Sequence, residues 1–152
     1  MYPGPEVWHE AGHAIVARWQ GALVRWVTIE SDRDDHVGHT EVAWVGFDAE
    51  ERARRSAMVA LGGPIAELLE TDLDPEDHDA LSSWRGDWEE AEDCLRTLAP
   101  RPDERERLRR AMVRAIRAFL SAPDVRERLA RVADALDAHE TLDETLFDDA
   151  LG

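Results

Sequence analysis

Two histidines four residues apart, His9 and His13, bracket a glutamate, Glu10, in the run Val7-Trp8-His9-Glu10-Ala11-Gly12-His13-Ala14. On a helix, positions i and i+4 share one face about one turn apart. Two imidazoles placed that way can hold one zinc ion, which takes nitrogen ligands at about 2.0–2.1 Å. Glu10 directly follows the first histidine, so it leaves the line the histidines share. From there it can reach a water on the metal, the place a general base occupies in zinc-assisted hydrolysis. Such a short helical pattern can also arise by chance. The helical context and a carboxylate further down the chain weigh against that.

The histidines share a face only if the chain around them is helical. Pro5 suits the first turn of such a helix and Gly21 its end. Val7, Ala11, Ala14, Ile15 and Trp19 give it an apolar stripe. Gly12 costs up to about 1 kcal/mol of helix propensity, and a small residue there lets a second backbone come close. Leu23 to Glu30 reads as a strand, with Leu23, Val27 and Ile29 on one face and Val24, Trp26 and Thr28 on the other. Ser31 to His36 reads as a polar loop, and Val37 to Val45 as the returning strand of a hairpin. An edge strand of that kind can take an extended peptide by strand addition, or can simply cover the core.

Asp48, with Glu51 at the capping-box position, opens the next helix. Gly62-Gly63-Pro64 is expected to kink or break it, since proline removes a backbone donor. The two glycines are expected to pack against Gly12 of the metal-binding helix. Thr71 to Ser83 reads as an acidic loop and Trp84 to Leu98 as a helix. Two more helices begin at Pro102 and near Pro123; their buried faces are read as Leu108, Met112, Ile116 and Phe119, then Val125, Leu129, Val132 and Leu136. Thr141 with Glu144 forms a capping box before a short last helix. The expected fold is mostly α with one small β-hairpin or sheet, a single α+β domain over residues 1–152.

Composition limits the function. Of 152 residues, 43% are hydrophobic and 34% charged, as in a soluble globular domain. Thirty-four acidic residues against 18 basic ones leave a net charge of -16, which repels nucleic acid and anionic membranes. Every basic residue is Arg, so a lysine Schiff base and the phosphate lysine of ATPases are excluded. Cys94 is the single cysteine and is expected to be a buried thiol in a reducing cytoplasm. The longest apolar run, Ala57 to Leu69, is too short for a bilayer and contains Glu67; no signal peptide is read at the start.

The ordered set of motifs resembles the peptidase domain of the FtsH family of ATP-dependent zinc metalloproteases. His9-Glu10-Ala11-Gly12-His13-Ala14 comes first, then Gly38-His39-Thr40 after a strand, similar to a Gly-aromatic-Thr step. Leu61-Gly62-Gly63-Pro64-Ile65-Ala66-Glu67, Gly86-Asp87-Trp88-Glu89-Glu90-Ala91 and Glu140-Thr141-Leu142-Asp143 follow in the family's order. The resemblance implies a zincin-like helix bundle. It implies that Asp87 is the third zinc ligand beside His9 and His13, where pattern alone favours a helix cap. An open fourth position for water is what catalytic zinc keeps. Pro64 and the acidic lead-in to Asp87 depart from the family, and its ATPase module and membrane anchor are not in these 152 residues. Such a chain is expected to need a separate ATPase, or a homo-oligomer, to handle folded substrates.

The expected function is that of a cytoplasmic zinc endopeptidase acting on peptides or unfolded segments, with Glu10 as general base. His39 and Thr40 are expected to touch substrate. Glu67 is read either as an acceptor orienting a zinc-bound histidine or as a solvated carboxylate. His36 and His78 are read as surface or locally bonded, His139 as structural, and Trp84 and Trp88 as core that could shield the metal. The alternative is a metal-binding interaction or regulatory module that kept the fold and lost turnover; an intact Glu10 argues against it. A zinc hydrolase of small amides is a third reading that no residue selects.

Overall fold

The computed structural model describes residues 4–30, 38–71 and 78–152. Helix α1, Pro5–Trp19, starts on proline and buries an almost unbroken run from Val7 to Ala17. Its end is set by Gly21 at φ +90°: Ala22 N donates to Ala17 O and Gly21 N to Arg18 O, which satisfies the last carbonyls. Strand β1, Leu23–Thr28, leads to β2, His39–Ala43, as an antiparallel hairpin. The connecting segment read as a loop, with His36, lies outside the described residues.

Strict alternation along β1 is not observed. Val24 and Val27 are the buried pair, while Trp26 is exposed. Val24 faces Val42 and Trp26 faces Glu41, so Arg25 is an extra residue in a β-bulge. One unpaired residue moves the following side chains to the other face. A third strand, β3, Thr141–Asp143, pairs with the far side of β1 and gives the order β2-β1-β3. The sequence reading took Thr141 as a helix cap. Instead the Thr141 hydroxyl bonds Thr28 Oγ1 at 2.7 Å, and Asp143 caps helix α6, Glu144–Leu151, by accepting from Leu146 N at 2.9 Å.

Helix α2 runs from Ala49 to Thr71 without a break, with Pro64 inside it. The first turn is capped as expected, Glu51 N donating to Asp48 at 2.8 Å. Burial of Ala57 to Glu67 outweighs the one donor that Pro64 removes. Helix α3 spans His78–Leu98, so it begins six residues before Trp84, where a loop was expected. Between Pro75 and Trp84 the sequence has neither proline nor glycine, and a helix once nucleated adds residues readily. Helices α4, Pro102–Ser121, and α5, Pro123–His139, both begin on proline. All four expected α5 positions are buried. On α4, Leu120 joins Met112 and Ile116, while Leu108 and Phe119 are partly exposed and Phe119 stacks on Trp19 at 4.1 Å.

α2 lies at the centre, against α1, α3 and α4. The glycines explain its closeness to α1. A Cβ on Gly12 would come within 2.7 Å of Gly62 O, and one on Gly62 within 2.7 Å of Val16. The expected small-residue contact is therefore present, at backbone distance. Among the described residues, no helix is long and apolar enough to cross a membrane. Cys94 is partly buried rather than buried, and burial pushes its thiol up.

Candidate metal centre

Four elements meet at the histidine pair. α1 contributes His9, Glu10 and His13; α2 contributes Glu67 and the Val59 carbonyl; α3 contributes Asp87; β2 contributes Thr40. The His9 and His13 rings sit edge to face, 4.7 Å between centroids, with their Nε2 atoms 3.1 Å apart. Asp87 Oδ2 reaches both, 2.7 Å from His9 Nε2 and 3.3 Å from His13 Nε2. Asp87 lies well inside α3, so the helix-cap alternative does not hold.

The outer ring nitrogens are fixed by acceptors. His13 Nδ1 donates to the Val59 carbonyl at 2.7 Å, and His9 Nδ1 donates to Glu67 Oε2 at 3.2 Å. Each neutral ring therefore keeps its proton on Nδ1 and turns a lone pair inward. Glu67 is 5% exposed and also accepts from Trp84 Nε1, so it orients His9 and is not a solvated carboxylate.

Two ring lone pairs and a carboxylate oxygen thus converge on one point. The arrangement suits a cation. For zinc bonds of 2.0–2.1 Å, ligand atoms at tetrahedral corners stand about 3.3–3.4 Å apart. The observed separations of 2.7, 3.1 and 3.3 Å need to open by at most about 0.7 Å to reach that spacing. Electrostatics agree. Burial lowers His13, but Asp87, with Glu10 and the Val59 carbonyl, overcomes it and raises the ring to about 10. His9 is likewise raised: burial lowers it, and the Asp87 and Glu67 hydrogen bonds outweigh that. Burial raises the Asp87 carboxyl, yet the two imidazoles hold it well below the usual carboxylate range. The pocket favours positive charge at its centre.

Glu10 is 7% exposed, and its carboxylate lies with the two histidines in a group whose ligand atoms are within 4.8 Å of one another. Thr40 Oγ1 donates to Glu10 Oε2 at 2.9 Å. A Cβ on Gly38 would come within 2.8 Å of Glu10 Cγ, so that glycine leaves room for the side chain. All these groups open onto a cleft of about 700 Å³, whose walls include Val42, Trp44 and Glu90. Neighbouring atoms desolvate the Glu90 carboxyl and raise it; Asp87 and Asp93 add to the rise while His13 and His39 oppose it.

The structure brings together His9, Glu10, His13, Asp87, Glu67 and Thr40. His39 is at the cleft rim, exposed, and bonds Glu41 at 2.8 Å. His139 is exposed at the end of α5, away from the histidine pair, and His78 is the first residue of α3. Val59 was not foreseen, because a backbone acceptor has no residue-type signature. Trp84 as the second donor to Glu67, and Thr40 as a partner of Glu10, were also missed. Only the fold places those pairs together. Compared with known proteins, the sequence matches no family model and no curated protein.

Proposed function

We propose that this chain is a zinc-dependent endopeptidase with a zincin-like domain similar to the FtsH-family peptidase, cleaving peptides or unfolded protein segments. One observation carries the reading: His9 Nε2, His13 Nε2 and Asp87 Oδ2 converge at 2.7 to 3.3 Å, with the carboxylate of Glu10 beside them. His9, His13 and Asp87 would hold the zinc, which would supply a Lewis acid for the carbonyl and for an attacking water. Glu10 takes the proton from the water as its oxygen attacks the peptide carbonyl carbon. When the C–N bond breaks, Glu10 passes that proton to the departing amine, so one carboxylate serves as base and then acid. Glu67 and the Val59 carbonyl keep both histidine lone pairs on the reacting side. β2 is an edge strand among the described residues, and Thr40, Val42 and Trp44 from its side of the sheet line the cleft. An extended peptide laid along β2 reaches the metal centre.

The net charge of -16 supports a protein substrate over nucleic acid, and the single partly buried thiol suits a reducing cytoplasm. The test joins metal analysis to cleavage of unfolded casein. Wild type should bind one zinc and cleave. Glu10→Gln, at matched zinc occupancy and melting temperature, should be slower by about 10²-fold or more. Equal rates refute the base; zinc binding with no cleavage by either protein supports the interaction-module alternative.

A further inference from the structure

We infer that Thr40 is a positioning residue for Glu10, through which the edge strand of the sheet fixes the catalytic carboxylate. The inference rests on the reading of Glu10 as general base. Thr40 is expected from the sequence to touch substrate, and its hydroxyl donates to Glu10 Oε2 at 2.9 Å. Among the described residues no other hydrogen bond reaches the Glu10 carboxylate. Glu10 has three rotatable side-chain bonds, and α1 fixes only their root. Gly38 borders the same side chain, since a Cβ there would stand 2.8 Å from Glu10 Cγ and 3.0 Å from Cδ. Gly38 and Thr40 flank His39 in the chain and act on one target: the glycine admits the stem and the threonine holds the tip. Oε2 thereby accepts one hydrogen bond, and the carboxylate keeps its remaining lone pairs to receive a proton. Thr40 is paired with Val27 across the hairpin, so its hydroxyl is anchored by the sheet and not by a loop. A base misplaced by about 1 Å can cost on the order of 10²-fold in rate.

The test uses the zinc-loaded full chain with two substitutions. Thr40→Val keeps shape and strand preference but removes the donor; Thr40→Ser keeps the donor. For Thr40→Val, kcat should fall by about tenfold with KM within about twofold, and Thr40→Ser should recover most of the loss. Crystal structures supply a readout independent of turnover: the Glu10 carboxylate should leave its place in Thr40→Val and keep it in Thr40→Ser. A Thr40→Val protein that keeps wild-type kcat, or one that changes only KM, overturns the positioning role. So does a Glu10 carboxylate that stays in place without the hydroxyl. If wild type cleaves nothing, the peptidase reading fails, and the crystal structures still decide whether Thr40 holds Glu10.

Discussion

Gly63→Ala adds one methyl group to the back of the metal centre. Gly63 is inside α2, so its backbone accepts alanine, and helix propensity alone favours the change by up to about 1 kcal/mol. The obstruction is His13. The new Cβ would lie 2.4 Å from Nε2, 2.6 Å from Cε1 and 2.8 Å from Cδ2, where ordinary contact begins at 3.4 Å. The ring must therefore retreat by about 1 Å. His13 is 7% exposed and its Nδ1 is tied to the Val59 carbonyl at 2.7 Å, so it has little room to move without losing that bond. Metal sites tolerate ligand displacements of about 0.2 Å. Zinc affinity should fall by about 10–100-fold, the scale seen when a group supporting a ligand is lost. Overpacking costs about 1–3 kcal/mol. Set against the helix gain, the metal-free protein loses roughly 0–2 kcal/mol, a fall in Tm of at most about 8 °C for a domain of this size. Competition with a chromophoric chelator measures the affinity, and thermal melting of the metal-free protein measures the stability. Gly86→Ala is the control: its Cβ meets nothing within 4 Å, so zinc binding should hold and stability should rise slightly. A Gly63→Ala protein with wild-type zinc affinity refutes the assignment of His13 Nε2 as a ligand.

His13→Ala removes one of three donors and should abolish stoichiometric zinc, measured by metal analysis after dialysis; full occupancy contradicts the centre. Glu67→Leu leaves two donors, His9 Nδ1 and Trp84 Nε1, without their acceptor. It should cost roughly 2 kcal/mol or more in a denaturant titration and weaken zinc by about 10–100-fold; wild-type values for both would show that Glu67 does not orient His9. Substrate charge should also matter. Glu6, Glu10, Glu67, Asp87 and Glu90 line the cleft, with no arginine from the described residues among them, so a dication leaves three negative charges. A peptide with Arg beside the cleaved bond should react roughly three- to tenfold faster than its Glu counterpart at low salt. The preference should shrink near 1 M salt, where the screening length is about 3 Å; a preference indifferent to salt is incompatible with it.

Much of this was legible in the sequence because it depends on neighbours along the chain. The spacing of His9 and His13 puts both rings on one helix face whatever the rest of the protein does. Pro5, Pro102 and Pro123 mark helix starts because a first-turn proline gives up no hydrogen bond, and Asp48 caps α2 as its side chain requires. Tertiary structure decided the rest. Burial carried α2 through Pro64, which local propensity reads as a stop. Pairing in the sheet turned Thr141 from a cap into a strand residue, and the bulge at Arg25 overrode alternation. Residue type made Glu67 a candidate, and the family resemblance made Asp87 one. Only packing of α2 and α3 against α1 put Glu67 on His9 Nδ1 and Asp87 across both Nε2 atoms, contacts 58 and 78 residues apart from His9. No local pattern encodes such distances, because they depend on how closely helices approach, and here Gly12, Gly62 and Gly63 set that approach.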